Sequence, residues 1–448
     1  MMTIEARKSR NMRTIMYHDM DKNRWKKIAT FILITTFILF GTYNVVFTMV
    51  ALLLCCVIIC IKDNDYCVEM LYFILSMAPI FKLSSSGSSV YTYIVLLYCT
   101  MHIAKKRFVL NKVETLVLIF TLYILATSVC SGTVNTKRIV KMCANTMMIG
   151  LLSDIDIDKR YRNVFFAYIL GLILSSCMRF LNSSFFRINE YTVEVIMHEP
   201  TYTTVRFAGL YNDPNYYAIN VIIALVLTTV LYQRRDIDSI GVVLLSIPLI
   251  YFAGMTGSKS ALLMLSLPLC LLTAACIKRK NYLMMIIFVL AVAVGIEMIL
   301  SGRFTAFNVT LNRMQRSSKN LTGVTSNRDL IWENYFDFLK NNPHVLLIGN
   351  SVGIYYLDGF ATHNTYIDLL YQFGIVGTMI FISIVIISFK EKVRNRPRSI
   401  LNYGVLICIL TMYFFLSQLQ EFDLPFHIVL CLMVMNLNMN ETNDKRRT

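Results

Sequence analysis

"THNTYIDLLYQFGIVGTMIFISIVIISFKEK", Thr362 to Lys392, decides how the rest of the chain is interpreted, because a long apolar run lies between a polar entrance and a basic exit. An apolar run of about 20 residues has the length that crosses a bilayer as an α-helix. His363 and Asn364 stand at the entrance of this run, and Lys390 follows its end. The stretch therefore predicts a membrane helix with a titratable side chain at its mouth.

Runs of the same kind recur along the whole chain of 448 residues, of which 56% are hydrophobic and only 16% charged. A soluble domain of this length is much less apolar. The predicted span cores are 28–42, 45–61, 67–82, 89–104, 114–131, 138–153, 162–181, 215–232, 239–256, 260–277, 281–300, 366–388, 399–417 and 422–438. We expect an all-α, polytopic integral membrane helix bundle of about 12–14 transmembrane helices.

The positive charge indicates which ends of these spans face the cytoplasm. The formal net charge is +16, and the basic residues cluster in short gaps such as "AKKRFVLNK", "IKRKN" and "KEKVRNRPRS". Cytoplasmic loops of membrane proteins carry this excess of Lys and Arg. A nucleic-acid-binding protein would instead collect its basic residues on one soluble face, so no nucleic acid partner is expected.

The spans and their sidedness divide the chain into seven segments. The predicted order is a cytoplasmic N-terminal segment 1–27, N-terminal transmembrane helices 28–181, an extracytoplasmic loop 182–214 with Arg206, central transmembrane helices 215–300, a large extracytoplasmic loop 301–365, C-terminal transmembrane helices 366–438 and a cytoplasmic tail 439–448. Long loops with structure of their own are commonly functional. We therefore look for the site in the two long loops.

The large loop contains a helix signal of its own in "TSNRDLIWENYFDFLKNNP", residues 325–343. Ser326 and Asp329 form a start that resembles a capping box, and Pro343 lies beyond the end. Apolar residues follow at helical spacing, at Trp332, Tyr335, Phe336 and Leu339. The pattern predicts an amphipathic helix packed on the outer ends of the bundle.

Two polar clusters precede predicted spans on the outer side. In "RFAGLYNDPN", Arg206 is followed by an Asp213–Pro214 turn, and Asn215 is expected to cap the next helix. In "GMTGSKSALL", Ser258 and Ser260 can cap a helix beside the positive charge of Lys259. Glycines, hydroxyls and a cation at a helix start favour binding of an anion. The alternative for Arg206 and Lys259 is a solvated surface charge.

Two further residues complete the candidate set. Arg328 lies in the first turn of the predicted loop helix, where a cation opposes the helix dipole and indicates an anionic partner. A pair with a neighbouring acidic side chain is the alternative. His363 can accept a proton near neutral pH, and Asp368 follows it inside the apolar run, where ionisable groups are costly and commonly functional. A purely structural histidine remains the competing interpretation.

Arg206, Lys259, Arg328 and His363 come from four distant regions and are all predicted on the outer face. Three cations and one base beside lipid suit an anionic, lipid-borne substrate, because arginine grips phosphate through a charged fork. The sequence shows no His, Asp and Glu cluster at metal-ligand spacing. We expect a metal-independent mechanism without a cofactor.

The order of these motifs, from "RFAGLYNDPN" through "TGSKSALL" and "TSNRDLIWENYFDFLKNNP" to "THNTYIDLLYQFGIVG", resembles the O-antigen polymerase/ligase family of bacterial membrane glycosyltransferases. The resemblance covers about residues 206–377. It implies contacts of Arg206 and Arg328 with a lipid pyrophosphate and a role of His363 as general base. Arg303, Arg313 and Arg316 compete with Arg328 for that assignment. Lys259 stands where relatives often have arginine, which puts a bidentate phosphate contact there in doubt.

The resemblance also implies a reaction, a location and partners. A glycan on undecaprenyl pyrophosphate is transferred to an acceptor sugar hydroxyl, with inversion at the anomeric carbon, on the outer face of the bacterial cytoplasmic membrane. The partners would be this donor, a glycan acceptor, the lipid bilayer and, as an open question, a chain-length regulator. The substrate-binding candidates are Ser258, Lys259, Asp213, Asn215 and Asn364.

Three functions remain open at this point. The helix count favours a polymerase, which joins lipid-linked repeat units into an O-antigen, capsule or exopolysaccharide. A ligase, which transfers the glycan to lipid A core or another acceptor, is the first alternative. A transporter of lipid-linked glycans is less favoured, because its polar residues would lie near the bilayer midplane and repeat in pairs.

Overall fold

The structure is a computed structural model that describes residues 25–106, 109–132, 135–152, 157–182, 188–191, 195–199, 202–301, 328–352, 356–392, 399–415 and 423–437. Its longer helices are α1 (25–41), α2 (Val45–Ile61), α3 (Asn64–Ile74), α4 (Tyr91–Lys105), α5 (Lys112–Cys130), α6 (Thr136–Leu152), α7 (Ile157–Asn182), α9 (Pro214–Gln233), α10 (Ser239–Met255), α11 (Lys259–Lys278), α12 (Tyr282–Leu300), α13 (Arg328–Asn341), α15 (Thr365–Lys392), α16 (Ile400–Phe415) and α17 (Asp423–Asn436). Two short helices are α8 (Ile188–Tyr191) and α14 (Pro343–Ile348).

The apolar helices are compatible with the predicted membrane helix bundle. Each predicted span core overlaps one of these helices. Within the described part of the chain, five helices are long and apolar enough to cross a membrane, namely Lys112–Cys130, Arg160–Leu181, Pro214–Gln233, Lys259–Lys278 and Thr365–Glu391. Four shorter apolar helices accompany them. Helices of this length and apolarity suggest a lipid bilayer as their environment.

A β-hairpin interrupts the otherwise helical architecture and was not predicted. Strands β1 (Val195–Glu199) and β2 (Tyr202–Arg206) pair antiparallel, with Val195 opposite Arg206. Both strands are rich in β-branched residues, "VIMHE" and "YTTVR", which favour an extended backbone. The hairpin lies in the segment expected to be a loop, and its last residue is the site candidate Arg206.

Two helices form the centre of the bundle. In α9 every residue except Asn215 and Tyr216 is buried, and all fourteen residues of α17 are buried. The helices α7, α10 and α11 pack around α9, while α6, α7 and α16 pack around α17. Because both helices are surrounded by protein, their apolar surface on all sides serves packing within the bundle.

The α15 helix is broken near its start by Gly374. This residue has φ 62° and ψ −171°, a conformation that only glycine adopts without strain. The break exposes backbone carbonyls to a neighbouring loop: Asn350 N–H donates to Tyr371 C=O at 2.8 Å, and Ser351 N–H donates to Gln372 C=O at 3.1 Å. The first two turns of α15, which follow His363, are thus held by the loop after α14.

A second glycine makes this contact close. Gly349 ends α14 with φ 83°, and a Cβ added to Gly374 would lie 2.4 Å from the Gly349 nitrogen. The hydroxyl of Tyr123 on α5 lies 2.7 Å from the Ile348 carbonyl oxygen and 2.8 Å from that of Phe373. The Tyr123 hydroxyl and the close approach of Gly349 and Gly374 therefore hold α5, α14 and α15 against one another.

The amphipathic helix of the large loop exists as α13, with one correction to its buried face. Tyr335 and Leu339 are buried, as predicted, but Phe336 is 51% exposed. Phe336 was wrongly assigned because it lies about 100° around the helix from Tyr335, and Phe338 packs inward instead. Ser326 lies outside the described residues.

The contacts define two ends of the bundle. At one end, here named the site end, Arg206 contacts Thr256 beyond α10, and Tyr211 contacts Asp423 at the start of α17. At the opposite end, Tyr161 bonds Asp236 in the turn between α9 and α10. The described parts of the predicted outer clusters thus share an end that is distinct from the end with the basic turns.

Candidate active site at the site end of the bundle

A hydrogen-bonded anchor joins three of the predicted residues. The Arg206 guanidinium donates from Nε to Thr256 C=O at 2.8 Å and from Nη2 to Asn215 Oδ1 at 3.1 Å. The buried Ser258 hydroxyl donates to the same Asn215 oxygen at 2.7 Å. One amide oxygen therefore connects β2, the start of α9 and the start of α11.

The residue that caps α9 is Asp213, which corrects the expectation for Asn215. Asp213 Oδ1 accepts the Asn215 N–H at 2.6 Å, and Pro214 occupies the first helical position. Proline suits that position because its missing N–H is not needed there, which places the cap two residues before Asn215. The Asn215 side chain turns instead toward Arg206 and Ser258.

The cap at Ser258 is confirmed. Its hydroxyl accepts the Ala261 N–H at 3.3 Å at the start of α11, and it lies 3.0 Å from the Ser260 hydroxyl. Lys259 is the first residue of α11 and is partly buried. The α11 start therefore presents hydroxyls and a cation beside the Asn215 anchor, as predicted for an anion site.

The His363 segment is held by side chains on both sides. Trp332 of α13 donates its indole N–H to Thr362 C=O at 2.7 Å. The Asn364 side chain caps α15 and accepts the Tyr366 N–H at 2.9 Å. Between them His363 has φ 49°, in the left-handed region that residues other than glycine rarely adopt. The loop helix and the α15 cap thus fix the backbone at His363.

Asp213, Arg328 and His363 are close enough to interact electrostatically. Burial lowers the pKa of His363, the nearby Arg328 charge lowers it further, and Asp213 raises it. Burial also lowers the pKa of Arg328, while Asp213 and Tyr216 raise it. Burial and the Arg328 charge therefore favour the neutral form of His363.

Asp368 is buried behind this segment. Thr362 donates its hydroxyl to Asp368 Oδ1 at 2.7 Å, while Oδ2 has no hydrogen-bond partner among the described residues. The Asp368 carboxyl group is therefore hydrogen-bonded to Thr362, the residue directly before His363. The sequence singled out Asp368 for its position in the apolar run.

A small, mostly apolar groove lies beside the anchor. Asn215 and Ser260 contribute polar groups to it. Its walls come from α9, α11 and α16, and they consist of Ala218, Ile219, Ile222, Ala261, Met264 and Met412. Polar and hydrocarbon surfaces thus adjoin at this place.

The sequence missed a buried polar cluster beneath the site. His427 on α17 is fully buried and lies 3.0 Å from Asn220 Oδ1 on α9 and 2.9 Å from the Tyr413 hydroxyl. Polar residues inside apolar runs are the signal that could have revealed it. That signal drew attention to Asp368, whereas His427 was not singled out.

The six predicted residues Arg206, Asp213, Asn215, Ser258, Arg328 and His363 are thus linked by hydrogen bonds or by electrostatic coupling. Asn364 adjoins them, but its side chain caps a helix, and Lys259 follows Ser258 directly. The rivals Arg303, Arg313 and Arg316 lie outside the described residues. Among the residues that the structure describes, no group of three or more His, Cys, Asp or Glu side chains could hold a metal ion.

No known family model matches this chain, and no curated protein aligns with it significantly.

Proposed function

We propose that the protein is a glycosyltransferase of the bacterial cytoplasmic membrane. It polymerises undecaprenyl-pyrophosphate-linked oligosaccharide repeat units into a surface polysaccharide on the extracytoplasmic face. In this proposal about 12–14 helices span the membrane, and the two long loops 182–214 and 301–365 lie outside. The O-antigen polymerase/ligase resemblance of the motifs suggests this reaction, and the geometry of the site end supports it.

One observation carries the proposal: residues from four distant regions converge at one end of an apolar bundle. Asp213 caps Asn215, Asn215 binds Arg206 and Ser258, and the Asp213 charge acts on both Arg328 and His363. A purely structural loop does not require a partly buried arginine beside a neutral histidine. An anionic leaving group and a proton acceptor explain both.

The chemistry follows from these groups. The acceptor hydroxyl attacks the anomeric carbon of the donor, and the bond from that carbon to the pyrophosphate oxygen breaks with inversion. His363 Nδ1 or Nε2 takes the hydroxyl proton, and the electron pair of the broken bond leaves on the pyrophosphate. The Arg328 charge stabilises the departing anion. Asp213 is the partner of Arg328 before the donor binds, and the departing anion competes with Asp213 for this arginine.

Arg206 has a second role in this proposal. Because its Nε and Nη2 groups bind Thr256 and Asn215, it holds the start of α9 against the α10–α11 turn. Loss of Arg206 would therefore disturb the anchor as well as remove a positive charge near the pyrophosphate.

Two other functions remain as alternatives. A ligase would use the same donor chemistry with a different acceptor, and nothing in the site selects the acceptor. A transporter of lipid-linked glycans is the less favoured alternative. The buried group formed by Asn220, Asp423 and His427 is the observation in its favour, since polar and ionisable groups in apolar helices often mark transport pathways.

The test is complementation of a deletion strain of the native host. Wild type, His363→Ala, Arg206→Ala and the control His344→Ala are each expressed, and the length of the surface glycan is read on a gel. His344 is exposed on α14, so its loss should leave the glycan unchanged.

A polymerase predicts single repeat units in the deletion strain and in the His363 and Arg206 variants, with full ladders from wild type and from the control. Full-length glycan accumulating on the lipid carrier would indicate a ligase. Full ladders from both site variants would refute the roles of His363 and Arg206. Glycan flux into vesicles without elongation would favour a transporter.

A further inference from the structure

The polar cluster beneath the site is larger than the three residues named so far, and nearly all of it lies inside the helix bundle. We name it the buried network: Tyr168, Tyr211, Asn220, Tyr413, Asp423 and His427, all at most 7% exposed. Its members come from α7, α9, α16, α17 and the turn between β2 and α9. Buried polar groups are costly unless each has a partner, so the pattern of bonds decides what the network does.

Both ring nitrogens of His427 have hydrogen-bond partners inside the bundle. Tyr413 OH lies 2.9 Å from Nδ1, and Nε2 lies 3.0 Å from Asn220 Oδ1. The Tyr168 hydroxyl also lies 3.0 Å from Nε2, so Nε2 either donates to Asn220 Oδ1 or accepts from Tyr168, and the Tyr413 hydroxyl takes the complementary role at Nδ1. Tyr168 donates to the same Asn220 oxygen at 2.7 Å. In either neutral tautomer both nitrogens of the imidazole have a partner, and Asn220 Oδ1 lies between Tyr168 and His427.

Asn220 also connects the network to Asp423, at the start of α17. Its Nδ2 donates to Asp423 Oδ2 at 3.1 Å, and Tyr211 donates its hydroxyl to Asp423 Oδ1 at 3.2 Å. Both carboxylate oxygens of Asp423 are therefore engaged, one by the bundle core and one by the turn above it. Asn220 lies about one and a half helical turns below Asn215 on α9.

The turn that Tyr211 belongs to carries Asp213. Tyr211 is two residues before Asp213, and Gly209, with φ 55°, makes the turn so close to Tyr217 that a Cβ there would lie 2.6 Å from its ring. Asp213 in turn acts on Arg328 and His363. A fixed turn is needed for this action, because the interaction of two charges depends on the distance between them.

We propose that the buried network is a positioning device, which through Tyr211 holds the turn that carries Asp213 at the site. Asp423 and Tyr211 are positioning residues, since neither is placed against the substrate. This inference rests on the proposed function for the meaning of the site. The placement of Asp213 beside His363 can nevertheless be measured without any glycan.

The test measures the titration of His363 in the purified full chain in lipid nanodiscs. Diethyl pyrocarbonate modifies neutral imidazole, so the modification rate of the His363 peptide, followed by mass spectrometry across pH, reports its pKa. The charged groups that act on His363 are Arg328 from α13 and Asp213 from the turn. If Asp213 moves away, its raising effect on the pKa weakens and the midpoint moves to lower pH.

Tyr211→Phe removes only the hydroxyl that reaches Asp423 and should lower the His363 midpoint by about 0.3 to 1 unit. Tyr98→Phe is the matched control, because its buried hydroxyl binds Asn64 outside the network. It should leave the midpoint at the wild-type value. Asp423→Asn provides a second perturbation of the same link and should act in the same direction.

An unchanged midpoint in Tyr211→Phe, or an equal shift in Tyr98→Phe, would overturn the positioning role. Each variant is first shown to elute as the wild type does on size exclusion. The outcome is separate from that of the proposed function. A midpoint shift together with normal glycan ladders from His363→Ala would uphold the network and reject the glycosyltransferase. Absent ladders from His363→Ala, together with an unchanged His363 midpoint in Tyr211→Phe, would uphold the glycosyltransferase and reject the positioning role of the network.

Discussion

The break in α15 gives the sharpest prediction for stability. Substituting Gly374 by alanine forces a side chain into φ 62° and ψ −171°, a strain of about 1–3 kcal/mol. The new Cβ would also lie 2.4 Å from the Gly349 nitrogen and 2.5 Å from the Leu347 carbonyl, and backbone atoms cannot rotate away. Overpacking of this kind costs about 1–3 kcal/mol. The expected destabilisation is therefore about 2–6 kcal/mol in total.

A matched control separates the two contributions. Gly359 has φ 82°, but a Cβ there meets nothing within 4 Å. Gly359→Ala should therefore show only the cost of a left-handed backbone, about 1–2 kcal/mol. The difference between the variants measures the contact between Gly374 and Gly349.

The assay is heating of the purified protein in detergent, with the monomer remaining after each temperature read by size exclusion. We expect a much lower midpoint for Gly374→Ala than for Gly359→Ala. Glycan elongation should fall as well, because the turns before the break position His363. Equal midpoints for the two variants would refute the close approach of α14 and α15 at this point.

Two further predictions concern the residues around His363. Asp213→Asn removes the carboxylate that raises the pKa of His363, so the acid limb of the rate of glycan elongation against pH should move to lower pH. A limb that stays in place would contradict the coupling. Trp332→Phe leaves the buried Thr362 carbonyl without its indole donor, at a cost of about 1–3 kcal/mol, and should speed proteolysis between α13 and α15. Trp25→Phe, 67% exposed, is the control, and equal proteolysis of both variants would contradict the contact.

The helices of the bundle could be predicted because their length and apolarity are local properties. The hairpin before Arg206 could not, since strand pairing depends on which segments meet rather than on the composition of either one. The burial of α17 was equally hidden. An apolar helix looks the same whether lipid or protein surrounds it.

At the site, the sequence could supply the residue types but not their partners. Ser258 was predicted as a cap and is one, because capping is a local geometry. Asn215 was mistaken for a cap because the helix starts at Pro214, two residues earlier than a cap at Asn215 requires. The bond between Asn215 and Ser258 spans 43 positions of sequence, and no local pattern predicts it.

The full burial of α17 has a consequence for biosynthesis. The ribosome makes α17 after all the other described helices, yet it occupies the centre of the bundle and brings Asp423 and His427 with it. Until it docks, those side chains lack the partners that α7, α9 and α16 provide, and the earlier helices enclose an unfilled space. The bundle can therefore close only at a late stage of membrane insertion. Chains that stall before α17 should be recognised as incomplete by the quality control of the cell.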